Sequence, residues 1–205
     1  MIKAIRPGMT ELQFVGIAWK TIYEHGAEYE GLPMYVFGEQ STRHAISRSG
    51  YRTIRKGDLV QLNLSAKVDG YSPSIGLPMS MGKLTGEKRR MVEFGLEAHL
   101  WTIGKLKAGI IAADVAKSFL ALFKERGYSD NYVYGPCHGT GMIGVEAPWM
   151  ESSSDYLLKA GMTFQVDTFV SGDKYGLRWE NCAAIREGSC ELLSPAMGVI
   201  HEIGC

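Results

Sequence analysis

Gly57-Asp-Leu-Val-Gln-Leu-Asn63 and Gly161-Met-Thr-Phe-Gln-Val-Asp167 are one phrase written twice, 104 residues apart. In each copy a glycine is followed by a glutamine and then by a side chain carrying an acceptor oxygen, Asn63 in the first and Asp167 in the second. At the same shift Asp69 meets Asp173 and Tyr71 meets Tyr175. Further toward the N-terminus, Gly8 and Gly26 bracket one segment, Gly109 and Gly127 bracket another, and Glu24 falls on Glu125, all at a shift of 101. The small drift between the blocks implies one short insertion. Two units are too few to stack as a solenoid, because each would leave its apolar face uncovered. The repeat therefore predicts a duplicated α+β domain, and a site lying between the halves that draws on like positions from each.

The local reading agrees with two α+β units. Thr10-Glu-Leu-Gln13 fits a capping box, in which a threonine hydroxyl and a glutamine side chain satisfy free helix amides. A helix follows to about Glu24, with Phe14, Ile17, Ala18 and Ile22 toward one face, and Gly26 stops it. Met34–Phe37 reads as a short strand, and residues 38–44 as a polar loop that delivers His44. Leu59–Ser65 is apolar except for Gln61 and Asn63, which share one face of a strand. Val68-Asp-Gly-Tyr71 is a hairpin turn, with the chain continuing through Ser74 to Pro78. Thr85 caps a helix from about Glu87 to Lys105, and a third helix runs from Ile110 to Arg126 before Gly127. Thr163–Val170 and Tyr175–Asn181 read as strands, and Cys190–Leu193 follows a tight turn. The layout is one domain over 1–205, with halves at about 1–84 and 106–205 joined by a helix over 86–105.

Composition narrows the class. A chain of 205 residues with 45% hydrophobic and 21% charged content builds one sizeable core. The formal net charge is zero, so no global field draws nucleic acid, and no basic patch suggests it as a partner. No apolar run approaches the roughly 20 residues that span a bilayer. Lys3 and Arg6 break the N-terminal apolar run, so it does not read as a signal peptide. Cys137, Cys182, Cys190 and Cys205 have neither zinc-site nor disulfide-framework spacing, which makes a reducing cytoplasm the expected location.

Residues 134–146, Tyr-Gly-Pro-Cys-His-Gly-Thr-Gly-Met-Ile-Gly-Val-Glu, place His138 in a glycine-rich run, where the backbone can approach a ligand closely. Histidine is both a metal ligand and an acid/base. The polar residues on otherwise apolar strands are Asn63, Asp167 and Glu180, and His44 and His138 lie on loops. A buried carboxylate needs a partner, because an unpaired buried charge is very costly. A metal ion, a histidine or a structural arginine would serve, and Arg178 is close by in sequence.

The ordered set Arg-Pro-Gly-Met-Thr-Glu11, Gly-Asp-Leu-Val60, Val-Asp-Gly-Tyr71, His-Gly-Thr-Gly141, Gly-Met-Thr-Phe164 and Gly-Leu-Arg-Trp-Glu180 resembles the catalytic domain of the pita-bread metallopeptidases. That family includes Xaa-Pro aminopeptidase, prolidase, methionine aminopeptidase and the metal-independent creatinase. Each motif is weak alone, but their order and spacing run through nearly the whole chain. The resemblance implies a duplicated α+β pita-bread fold around a curved antiparallel sheet, a homodimer, and often an additional N-terminal domain, which this chain, opening almost at Arg6-Pro-Gly8, is expected to lack.

The resemblance also implies a ligand set. Active members hold two divalent metals with two Asp, one His and two Glu. Those positions fall on Asn63, Ser74, His138, Asp167 and Glu180. Two ligands are kept, one is shortened by a methylene, and Asn63 and Ser74 have lost their charge. Hard cations favour carboxylates, so the expectation is one divalent metal (Mn, Co or Zn) on His138, Asp167 and Glu180, or none. The resemblance places a catalytic or substrate-binding histidine at His44. It puts a second histidine at Val145, where it is missing, while Glu146 remains. His44 and Glu146 are the proton-transfer candidates. Three readings stay open. One is a peptidase-like hydrolase of C–N bonds with a depleted metal site. Another is a metal-free creatinase-type hydrolase with His44 as base. The third is a non-catalytic pseudoenzyme that binds a peptide or small molecule.

Overall fold

The structure, a computed structural model, describes residues 1–29, 31, 35–194 and 198–204. Among the described residues three α-helices, α1 (Glu11–Glu24), α2 (Gly86–Lys105) and α3 (Ala112–Glu125), pack beside one sheet. Its strands are β1 (Tyr35–Phe37), β2 (Leu59–Ser65), β3 (Ser74–Ser80), β4 (Cys137–Gly139), β5 (Glu146–Met150), β6 (Thr163–Ser171), β7 (Gly176–Ile185), β8 (Cys190–Leu192) and β9 (His201–Glu202). The order across the sheet is β1-β2-β3-β7-β6-β4-β5, with β8 paired to β7 and β9 parallel to β3. Met34 and Cys205 lie outside the described residues.

The register carries the duplication. Asn63 on β2 pairs with Gly76 on β3, and Asp167 on β6 pairs with Glu180 on β7. A shift of 104 maps the first pair onto the second. The two hairpins then meet back to back through Gly76 and Glu180. One row of the sheet therefore reads Asn63, Gly76, Glu180, Asp167, with both halves contributing to one face. The hairpin turn at Val68–Tyr71 closes as expected, with both central residues at positive φ, Asp69 at 49° and Gly70 at 81°.

The helices form where the sequence signals them. The Thr10 hydroxyl accepts from the Gln13 amide while the Gln13 side chain accepts from the Thr10 N–H, a complete capping box. Thr85 sits at the N-cap of α2, but its hydroxyl makes no cap hydrogen bond. α2 lies across the back of β6 and β7. Gly95, mid-helix, leaves no room for a side chain against β7: an added Cβ would lie 2.5 Å from Leu177 Cδ1. Phe14, Phe94, Phe119, Phe123 and Trp179 anchor the core behind the sheet, and a second cluster gathers around Val115, Phe164 and Ile185. Burying each such side chain contributes about 1.5–3 kcal/mol.

β3, like β4, β5 and β9, was not read as a strand from the sequence, and Pro78 sits in it. Proline has no N–H and is expected only at edges. Here β3 and β7 meet in register only at Gly76 and Glu180. Two residues further, opposite Pro78, the Gln61 side chain reaches over from β2. Its Oε1 accepts from the Arg178 N–H (2.8 Å) and its Nε2 donates to the Arg178 carbonyl (3.1 Å). A primary amide thus takes the place of the backbone pairing here and supplies the N–H that proline lacks.

Candidate metal centre

Strand alternation puts Arg178 and Glu180 of β7 on the same face as Asp167 of β6, Asn63 of β2 and Ser74 of β3. All four of the neutral or acidic members are buried, and Arg178 keeps only 12% of its side chain exposed. His138 enters from the glycine-rich run. As β4 it pairs with Gln165 of β6, two residues from Asp167. Beside Gln61 and Gln165, the face thus collects one histidine, two carboxylates, one guanidinium, the Asn63 amide and the Ser74 hydroxyl.

The histidine's tautomer follows from its partner. His138 Nδ1 lies 3.0 Å from the Gly139 carbonyl oxygen, which can only accept, so Nδ1 carries the proton. Nε2 is then a lone pair, and it faces Asp167 Oδ2 at 3.8 Å. A lone pair opposed to a carboxylate calls for a proton or a metal cation between them. Glu180 completes the group: one ligand atom from each of His138, Asp167 and Glu180 lies within 4.8 Å of the others, and all three residues are buried. One nitrogen and two carboxylate oxygens, leaving a position open for water, is the donor set of a mononuclear catalytic site. The residues fit one divalent cation.

The seat for a second cation is differently filled. The Arg178 guanidinium lies among the ligand positions, its Nε 3.1 Å from Asp167 Oδ1 and its Nη1 3.8 Å from Glu180 Oε2. The first contact has ion-pair distance without hydrogen-bond alignment. The Asn63 amide is oriented by its surroundings so that its oxygen accepts from Arg178 Nη1 (2.9 Å) and its nitrogen donates to the Leu62 carbonyl (2.9 Å). Nη2 donates to the Ala45 carbonyl (3.0 Å) and to the Tyr134 hydroxyl. The guanidinium also lies over the stacked rings of Tyr134 and Phe169, 5.6 and 5.8 Å from their centroids. Ser74 donates to Glu180 Oε1 at 2.5 Å.

Electrostatics follow from this packing. Burial, reinforced by the Asp167 charge, pushes the Glu180 carboxyl up, against the pull of Arg178 and the Ser74 hydrogen bond. Burial alone would lower Arg178, but Asp167, Tyr134 and Glu180 outweigh it and hold the guanidinium charged. Burial and the Asp167 charge raise the Tyr134 phenol well above its ordinary value, so it stays protonated.

The structure brings together His138, Asp167, Glu180, Ser74 and Asn63. The other two candidates sit further out. His44 is exposed, and its tie to the site runs through its neighbour Ala45, whose carbonyl holds Arg178. Glu146 pairs with Gly139 across β4 and β5, and its Oε2 accepts from the Ile143 N–H (3.2 Å). Val145 is 40% exposed on that same loop. Sequence reasoning offered Arg178 only as a partner for a carboxylate and passed over Tyr134. The available signal was the spacing of two between Arg178 and Glu180, which puts both on one strand face.

A model of metallopeptidase family M24 matches residues 1–187. The chain belongs to metallopeptidase family M24. Among curated proteins similar to this M24 chain are a putative dipeptidase of Bacillus subtilis, 26% identical over 165 residues (80% of this chain, 45% of that protein), and an Xaa-Pro dipeptidase of Pyrococcus furiosus, 27% identical over 144 residues (70% and 41%). Among solved structures, an X-Pro aminopeptidase from Thermotoga maritima superposes with a TM-score of 0.93 at 23% identity, covering 98% of this chain and 56% of that one. Prolidase from Pyrococcus furiosus gives 0.91 at 23%, covering 95% and 58%. These likenesses show the pita-bread fold. The M24 chain spans about half the length of the relatives it matches. Among the described residues no helix is long and apolar enough to cross a membrane.

Proposed function

We propose that this chain is a peptide-bond hydrolase of the Xaa-Pro type that works with one divalent cation held by His138, Asp167 and Glu180. The observation that carries the reading is the convergence of those three buried side chains within 4.8 Å. The names of the M24 relatives, Xaa-Pro dipeptidases among them, support the substrate class. A divalent cation in such a site polarises a carbonyl and lowers the pKa of water toward neutrality. The chain's own residues do the rest. The Gly139 carbonyl fixes the His138 tautomer, and Ser74 and Arg178 orient Glu180 and Asp167. His44 is exposed and joined to the site only through its neighbour Ala45, and in this reading it would be the proton-transfer group. Glu146 would first have to release the Ile143 amide.

One observation favours a second reading. Arg178 and Ser74 already supply a positive charge and a hydrogen bond to the two carboxylates, so part of the charge a cation would balance is balanced within the chain. Such a pocket suits a non-catalytic module that binds a peptide, or the metal-free chemistry for which His44 would be the base. Elemental analysis after dialysis against manganese, cobalt and zinc separates these. One retained ion per chain with cleavage of Xaa-Pro peptides supports the hydrolase. No retained ion and no cleavage would replace it with the binding module, and turnover without metal would replace it with the creatinase-type reaction.

A further inference from the structure

Beside His138 lies a cavity of about 420 Å³, lined by Tyr132, Tyr134, His138, Trp149, Glu151 and Asp167 among others. We propose that this cavity recognises the cationic side chain of a peptide residue, lysine or arginine. The inference rests on the peptide-binding part of the reading above.

Register puts the cavity on the working face. Trp149 of β5 pairs directly with His138 of β4, so the two side chains project from the same side of the sheet. Their ring centroids are 5.7 Å apart with planes tilted by 54°. Trp149 nonetheless leaves 48% of its surface exposed. A large aromatic side chain left half bare against a candidate ligand histidine is a binding wall rather than a core residue. Tyr132 and Tyr134 line the cavity from the segment before β4. Both have settled hydroxyls, Tyr132 donating to the Gly135 carbonyl and Tyr134 accepting from Arg178, so they offer the cavity ring surface more than hydrogen bonds.

Charge selects the ligand. Glu151 lies two residues beyond Trp149 and is exposed. Its backbone N–H is taken by Ser154 Oγ, but its carboxylate has no hydrogen bond or ion pair among the described residues. Asp167 also lines the cavity, but its charge is matched by Arg178, so Glu151 is the free carboxylate, and among the described residues no lysine or arginine lines the cavity. Arg178, behind Tyr134, is matched by Asp167 and Glu180. An anionic group would meet Glu151 uncompensated, and an apolar one would leave that carboxylate unused. A guanidinium or ammonium group can lie over the exposed indole of Trp149 and pair with Glu151 at once. The volume exceeds what a bare ammonium needs and accommodates the aliphatic stem that carries it.

The test uses equilibrium binding to the full chain, read by titration calorimetry and indole fluorescence, with arginine amide against citrulline amide. The two are near-isosteric and share the α-amino group, differing in the side-chain charge. Arginine amide is expected to bind about tenfold more tightly, and Glu151→Gln is expected to remove the difference while Glu151→Asp keeps part of it. Equal affinities, absence of binding by both amides, or a difference that survives Glu151→Gln would overturn the proposal. Cleavage of Arg-Pro and Leu-Pro with manganese is scored separately. Charge-selective binding with neither peptide cut would remove the hydrolase reading alone. Equal cleavage of both with no charge-selective binding would remove the cavity proposal alone.

Discussion

Ser74 on β3 donates to Glu180 on β7 at 2.5 Å, and so the two halves of the duplicated sheet are joined at the candidate site by a hydrogen bond where the resemblance expects a shared metal. The residue at position 74 has become a donor to the ligand it would otherwise assist. With Asn63 turned to Arg178 as well, the first half contributes hydrogen bonds to the site and the second half contributes its charge.

Restoring that charge gives the first prediction. The triple change Asn63→Asp, Ser74→Asp and Asp167→Glu returns one carboxylate and one methylene to the row Asn63, Gly76, Glu180, Asp167, and a second carboxylate at position 74 beside Glu180. Metal affinity is expected to rise, with stoichiometry moving from one toward two, as read by calorimetric titration with manganese. No gain in bound metal would mean that Arg178 keeps the second seat closed even against added carboxylates.

Removing the guanidinium tests the same balance from the other side. Arg178→Met leaves Asp167 and Glu180 facing one another without their cation, and strips partners from Asn63, Ala45 and Tyr134. Breaking a buried ion-pair network from one side costs about 3–5 kcal/mol. Added manganese is expected to recover part of that loss, because an ion that binds only the folded state stabilises it. The Tm gain from manganese should be larger in the variant than in the parent chain, and a smaller gain would contradict the placement of the cation at these carboxylates.

Gly76 is the seam between the hairpins. An added Cβ would lie 2.8 Å from Glu180 Cβ and 2.9 Å from Arg178 Cγ. Gly76→Ala should therefore destabilise the fold by about 1–3 kcal/mol through overpacking, seen as a lower urea midpoint. A midpoint equal to that of the parent would show that the seam relaxes freely.

His99 on α2, behind the sheet, titrates against stability. Its Nε2 lies 2.9 Å from Asn181 Oδ1, and burial lowers its pKa from 6.5 to about 4, against smaller upward pulls from Asn181 and Asp167. The unfolded chain then binds more protons than the folded chain between those two values, so stability rises with pH across this window and is lost as pH falls from about 6.5 to 4. The loss is on the order of 3 kcal/mol for a group this deeply buried. His99→Gln keeps a polar partner for Asn181 without the titration. The stability difference between variant and parent should therefore move in favour of the variant as pH drops from 7 to 4.5 in urea titrations. A difference that stays constant over that range would assign the acid sensitivity to other groups.

The duplication was legible in the sequence because repeated phrases at one shift survive divergence when each half must bury the same apolar face. The capping box at Thr10 and the hairpin at Val68–Tyr71 were legible because caps and two-residue turns are set by adjacent residues. The site residues Asn63, Asp167 and Glu180 stood out as polar positions on otherwise apolar strands, a pattern that costs stability unless a partner is present. β3 was not legible, since Pro78 argues against a central strand and its compensation by Gln61 comes from another strand. The sequence by itself thus determined which side chains must face one another across the duplicated sheet, because strand period and shift are local properties. Only the tertiary structure decided what stands between them. The fit of Arg178 among Asn63, Asp167 and Glu180, and the opening of the Trp149 cavity beside His138, depend on distances between strands that no single stretch of chain encodes.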